Sequence, residues 1–239
     1  MKTIKMLGLL LTYPVPETVL HWPEMLDLLA NEKILPKKSL KLIQQWINNK
    51  KAQDIYQLQE DYVETFDRSR GHCLHLFEHI HGESRERGQA MVDLSTMYAE
   101  KGLTISQAEL PDYLPLFLEY CSRCDYQEAQ GLLSEITTIV AAIGAKLKAR
   151  DNDYHVIFDT LQVLAKTKVD QAVIDAALAY VAAEDTRLEA LDKEWEEAAA
   201  FGGDPQQEDC HSCPSINTPT NQSSSHTDQE QIITMVGGA

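Results

Sequence analysis

Between Tyr62 and Leu94 the chain reads YVETFDRSRGHCLHLFEHIHGESRERGQAMVDL, and this stretch gathers most of its ionisable chemistry. His72, Cys73, His75, His79 and His81 fall among Asp67, Arg68, Arg70, Glu78, Glu83, Arg85, Glu86 and Arg87, with Phe66, Leu74, Leu76 and Phe77 between them. Charge beside an apolar cluster is costly unless it is paired, so such a run has to be either a self-satisfied corner or a recognition surface. The Gly82-Glu83-Ser84 step reads as a helix break and restart, with Ser84 as N-cap and Glu83 and Glu86 near the positive helix end. A charged helix–turn–helix corner is therefore expected here.

Metal chemistry is the first option. His75 and His79 stand four apart, a helical ligand spacing, but no HExxH accompanies them and no third carboxylate falls in a matching frame. Cys121-Ser-Arg-Cys124 and Cys210-His-Ser-Cys213 are two CxxC pairs. A four-thiolate zinc site would have to bridge several helices between them, which matches no ribbon or finger spacing. A thioredoxin-like redox role would need a βαβ context. Nucleophilic and phosphate-handling chemistry fare no better, since GxSxG, P-loop and Rossmann glycine patterns are all missing. Glu64 with Asp67, and Glu109 with Asp112, are carboxylate pairs that solvated helix faces produce routinely. No enzyme and no cofactor is expected. Binding remains, with Glu78, Glu83, Glu109 and Asp112 as candidate partners for ligand arginines and Leu76, Phe77, Met91 and Leu114 as a candidate apolar floor.

The elements that would position these groups are helical. Apolar residues recur at three- and four-residue steps over 4–11, 16–30 (interrupted at Pro23), 36–47 with Pro36 at an N1-like position, and 52–66. The same spacing returns over 84–101, 132–147, 154–165 and 169–183, and Gly102 is placed to stop the fifth helix. Pro111 and Pro115 fit only a helix that begins within that turn. A last acidic helix is expected from about 185 to 201. No stretch alternates with period two, so the expected class is all-α: a single-domain helical bundle over 1–202. Residues 203–239, rich in Gly, Pro, Ser, Thr, Asn and Gln, are expected to be a disordered tail.

Composition sets outer limits. An apolar fraction of 44% supports a real core, and a formal charge of −16 argues against nucleic acid and against an anionic membrane surface. Five cysteines in a chain whose apolar start is too short for a secretion signal are expected to be reduced thiols. No run approaches a membrane span, and a cytoplasmic protein is expected.

Two of these segments, LFEHIHGESRERGQAMVDL (76–94) and ELPDYLPLFLEY (109–120), closely resemble the NarJ-type chaperones of respiratory nitrate reductase, within the TorD/DmsD-like superfamily of redox-enzyme maturation proteins. YVETFDRSRG (62–71) and the LLTYP start (10–14) fit as well, and the resemblance spans roughly 4–200. It implies a cytoplasmic all-helical chaperone without enzymatic activity. The implied partner is the N-terminal segment of the nitrate reductase catalytic α subunit, within the apo αβ complex held competent for molybdenum cofactor insertion before membrane attachment. By carry-over, Phe66, Asp67, Arg70, Phe77, His79, Gly82, Ser84 and Arg85 match one motif, and Glu109, Pro111, Asp112 and Leu114 the other. These residues are assigned to a peptide groove or to the scaffold beneath it. His72, Cys73, His75, both CxxC pairs and the tail lie outside the pattern, and Tyr113 stands where relatives often have His. Two alternatives stay open: a maturation chaperone for another molybdoenzyme, and a metal- or redox-responsive regulator using the Cys and His residues.

Overall fold

Helix α1 (Lys2–Leu10) is the centre of the molecule, because it is the element with apolar side chains on nearly every side: Ile4, Leu7 and Leu10 are fully buried. The computed structural model describes residues 1–68, 71–80, 85–106, 109–181 and 183, all within one compact unit, Met1–Trp195. The expected acidic helix from 185 and the expected tail from 203 lie outside the described residues.

After α1 come α2 (Pro16–Leu20), α3 (Trp22–Glu32), α4 (Lys37–Lys51), α5 (Ile55–Tyr62), α6 (Arg85–Glu100), α7 (Leu114–Arg123), α8 (Tyr126–Ala149) and α9 (His155–Ala165), followed by α10 over 171–181. Among the described residues no strand occurs, and the protein is all-α. Turn chemistry sets the breaks. Pro23 sits in the first turn of α3, where its missing N–H costs nothing. Pro115 does the same for α7, whereas Pro111 stays outside that helix. Pro36 is the N-cap of α4 rather than its first helical residue. Asp54 and Asp125 cap α5 and α8 by accepting from Tyr56 N–H and Glu128 N–H. Gly102, at φ +72°, ends the chain's exit from α6 in a left-handed turn.

α1 packs on α7 and α3, while α8 and α9 form the largest helix pair. Their close approach needs Gly144, since a Cβ there would lie 3.0 Å from the Phe158 Cβ. A chain of rings links α3, α4, the turn before α9 and the π-turn after α5: Trp22 to Trp46 at 5.4 Å, Trp46 to Tyr154 at 5.2 Å, and Tyr154 to Phe66 at 4.9 Å between centroids. Edge and tilted geometries of this kind add to plain area burial.

The expected corner differs from its sequence reading. α5 runs into a single wide π-turn, Val63–Asp67, closed by Arg68 N–H donating to Val63 C=O at 3.0 Å. Residues 71–80 then form an irregular loop whose only helical turn is the 3₁₀ stretch Leu76–Glu78. His75 is extended there, so His75 and His79 do not share a helical face. The loop has its own reason to be irregular: it pairs with the segment before α7. Residues 81–84 lie outside the described residues, and with them the expected Ser84 cap.

Candidate peptide-binding site

Two strand-like residues join the sequence segments quoted above. His75 and Tyr113 form an isolated antiparallel bridge, with Leu76 N–H donating to Asp112 C=O at 3.0 Å and Leu114 N–H to Leu74 C=O at 2.8 Å. The carboxylate of Asp112 completes the junction. It accepts from Phe77 N–H at 3.1 Å, meets His75 Nδ1 at 3.4 Å, and lies 3.9 Å from Arg87 Nη2 on α6. Arg87 also reaches Glu78 at 3.5 Å. Asp112 is wholly buried. It was expected to face an arginine of the ligand, but its oxygens are already engaged by three groups on two segments of its own chain, the loop and α6. Its place is the scaffold beneath a groove, where it fixes the loop against α6 and α7. The hydrogen bond to Asp112 raises the pKa of His75, and burial opposes it.

The remaining expected residues divide. Phe66 and Leu114 are core, at 3% and 0% exposure, and touch no surface. Asp67 and Glu109 are exposed, Phe77, His79 and Pro111 are half-buried, and the Pro111 carbonyl accepts from Tyr98 Oη at 2.8 Å. The His79 ring packs back on its own loop, with Nε2 2.9 Å from the Cys73 carbonyl, and burial lowers its pKa. Arg70 and Ser84 lie outside the described residues, as does the side chain of Arg85. The structure therefore gathers the two segments at one junction but puts only part of the expected set on a surface.

Two depressions flank the junction. On one side an open groove of about 380 Å³ is lined by Leu76, Phe77 and Ile80 of the loop, Leu94 and Met97 of α6, Phe117 of α7, and Leu132 and Ile136 of α8. Asp93 and Glu135 stand at this groove as its acidic residues. Ile80 is 57% exposed at its edge. On the other side a smaller groove of about 210 Å³ lies between α1 and α7, with Glu109, Tyr113, Leu9 and Leu116. Its Lys5 is paired with Glu119 at 2.9 Å, and the Tyr113 hydroxyl is 3.2 Å from that of Tyr62.

Met91, expected in the floor, instead faces a separate depression with Val92 and Thr96. Of the groove residues, Phe117 and Ile136 are buried members of the core, while Leu94, Met97 and Leu132 are half-buried and carry the same i, i+3, i+4 spacing as core positions. Only the partial exposure of these three distinguishes them, and no local signal reports that. Arg87 was visible only as one charge in a charged run.

Cys73, Cys121 and Cys124 are free and buried. Burial pushes the Cys73 thiol up to about 12 and that of Cys121 higher, so neither is a thiolate at neutral pH. Among the described residues no three Cys, His, Asp or Glu side chains gather as metal donors. The second CxxC pair lies outside them.

The family described as nitrate reductase delta subunit matches residues 36–158, which includes the loop, the bridge, α6, α7 and α8. The chain is 42% identical over 188 residues to the nitrate reductase molybdenum cofactor assembly chaperone NarJ of Escherichia coli (strain K12), covering 79% of each chain. It is 39% identical over 198 residues to the probable assembly chaperone NarW of the same organism, covering 82% of each. A probable NarJ of Bacillus subtilis (strain 168) shares 25% identity over 181 residues, 73% of this chain and 96% of that one. With its junction inside the matched region and relatives that align over most of their length, this chain belongs to the nitrate reductase delta subunit family.

Proposed function

We propose that the chain is a molybdenum cofactor assembly chaperone for nitrate reductase, acting through residues 1–202 and without a catalytic step of its own. Its client is the N-terminal segment of the catalytic α subunit, held in the apo αβ complex until the cofactor is in place, in the cytoplasm and before membrane attachment. No helix among the described residues is long and apolar enough to cross a membrane. The observation that carries the reading is the open apolar groove with Asp93 and Glu135 beside it, built on the junction of the two segments. An amphipathic client laid on it would bury apolar side chains on Leu76, Phe77, Leu94 and Met97 and place arginines against the two carboxylates. Release then follows if the matured enzyme no longer offers that segment, since only a difference in affinity between client states can drive it.

Calorimetric titration with a synthetic peptide of the α subunit's first ~15–20 residues tests the site, a usual length for a helix or strand laid in a groove. Binding at micromolar Kd or tighter is expected, weakened roughly tenfold or more by Leu94→Asp or Met97→Asp through a charge in the apolar floor. Glu109→Lys, on the opposite groove, should leave it unchanged. Loss with Glu109→Lys and retention with Leu94→Asp would move the client to the groove between α1 and α7.

A further inference from the structure

Another cavity among the described residues lies elsewhere, and the chaperone reading does not use it. It encloses about 450 Å³, within the range of roughly 300–1,000 Å³ usual for small-molecule sites. Its walls are polar and come from five places: the end of α4, α5, the π-turn, the loop at His72, and the turn after α8.

The two walls carry different electrostatics. On one, Lys50 is buried and already matched, 3.0 Å from Asp153 and 3.7 Å from Asp61, with its ammonium 5.1 Å from the centre of the Tyr154 ring. On the other, His72 is 4% exposed, and its Nε2 is buried without a hydrogen-bond partner. Among the described residues, the cations Arg150 and Lys146 at the α8 end act on that imidazole, as does His79. They and burial hold it neutral, its pKa pushed down to about 4. Glu64 and Asp151 are exposed and solvated, where their charge is screened. Asn152 between the walls is held in place by donating to Thr65 Oγ1 at 2.8 Å and accepting from Tyr154 N–H at 3.0 Å.

A buried imidazole nitrogen without a hydrogen-bond partner, lining a cavity with Arg150 and under the field of Arg150 and Lys146, is suited to an oxyanion when Nε2 carries the ring proton. We propose that this cavity is a second binding site, taking a small organic anion whose phosphate-monoester or carboxylate head sits against His72 and Arg150 and whose body lies along Leu147 and Tyr154. Nothing in this site depends on the client groove, so either can fail alone.

The test uses the full chain at neutral pH, with the His72 ring followed by NMR during titration with sulfate, phenyl phosphate and benzoate. Saturable shifts at His72 and Asn152 are expected, with phenyl phosphate or benzoate binding roughly tenfold tighter than sulfate because only they have an apolar body to bury. Arg150→Gln, an exposed change that leaves the core intact, should weaken either by roughly tenfold, the usual worth of a charge-assisted hydrogen bond. Leu94→Asp should not alter it. Sulfate affinity should rise as pH falls from 7 to 5.5, because an anion favours the protonated ring. Equal affinity for sulfate and the organic anions would overturn the organic ligand. Shifts only at surface lysines, indifference to Arg150→Gln, or preference for guanidinium over anions would overturn the site.

Discussion

Asp112 is the residue on which the candidate groove depends, and its burial decides how it acts. A buried carboxylate that accepts from a backbone N–H and faces His75 and Arg87 contributes by geometry, since removing its charge leaves donors without an acceptor. Asp112→Asn should therefore destabilise the fold by about 2–3 kcal/mol in denaturant unfolding and weaken client binding secondarily. Its pH signature comes from His75, whose pKa is raised in the fold. A raised pKa gives stability that is complete below the unfolded value of about 6.5 and is lost as pH rises through the folded value. The stability gap between the native chain and His75→Gln should shrink from pH 6 to pH 8. His72 runs the other way: it is neutral in the fold to about pH 4, while the unfolded ring protonates near 6.5. The native chain should thus lose stability, up to about 3 kcal/mol, between pH 6.5 and 4, and His72→Gln should remove that part of the acid slope.

At the level of elements, the helix pairs hold the groove at its width. α8 supplies Leu132, Glu135 and Ile136 to the groove and Leu147 to the polar cavity, so its position relative to α9 matters to both. That position is set by Gly144 against Phe158. Gly144→Val should force the pair apart at a cost of about 1–3 kcal/mol, read as a fall in Tm of several degrees. Breaks at proline and glycine were legible, because such residues act locally: Pro23 interrupts 16–30 and Gly102 ends α6, whereas the caps Asp54 and Asp125 emerge only in the structure. The loop 71–80 was not legible either. Its Leu and Phe spacing resembles a helix, and the competing demand, pairing with residues 112–114, lies about forty positions away in sequence.

Over the whole molecule, a formal charge of −16 favours a cationic client and would add a long-range attraction to the pairing proposed at Asp93 and Glu135. Client association should slow as salt is raised from about 0.1 to 0.5 M, where the Debye length shortens from roughly 10 Å to under 5 Å, while dissociation changes little. Stopped-flow kinetics with the α-subunit peptide would separate the two rates.

The chain's own residues determined its class, its helix order and the two segments that matter, because periodicity, capping and charge are properties of neighbours in sequence. Family resemblance in 76–94 and 109–120 was likewise readable without a structure. Which of those residues face outward was decided only by tertiary packing. Phe66 and Leu114 are drawn into the ring cluster and core, Asp112 is turned inward by a backbone N–H, and Leu94 and Met97 are left half-buried at the groove. Burial is a property of what stands opposite a side chain, and for His72 and Asp112 alike the opposing groups come from distant parts of the chain.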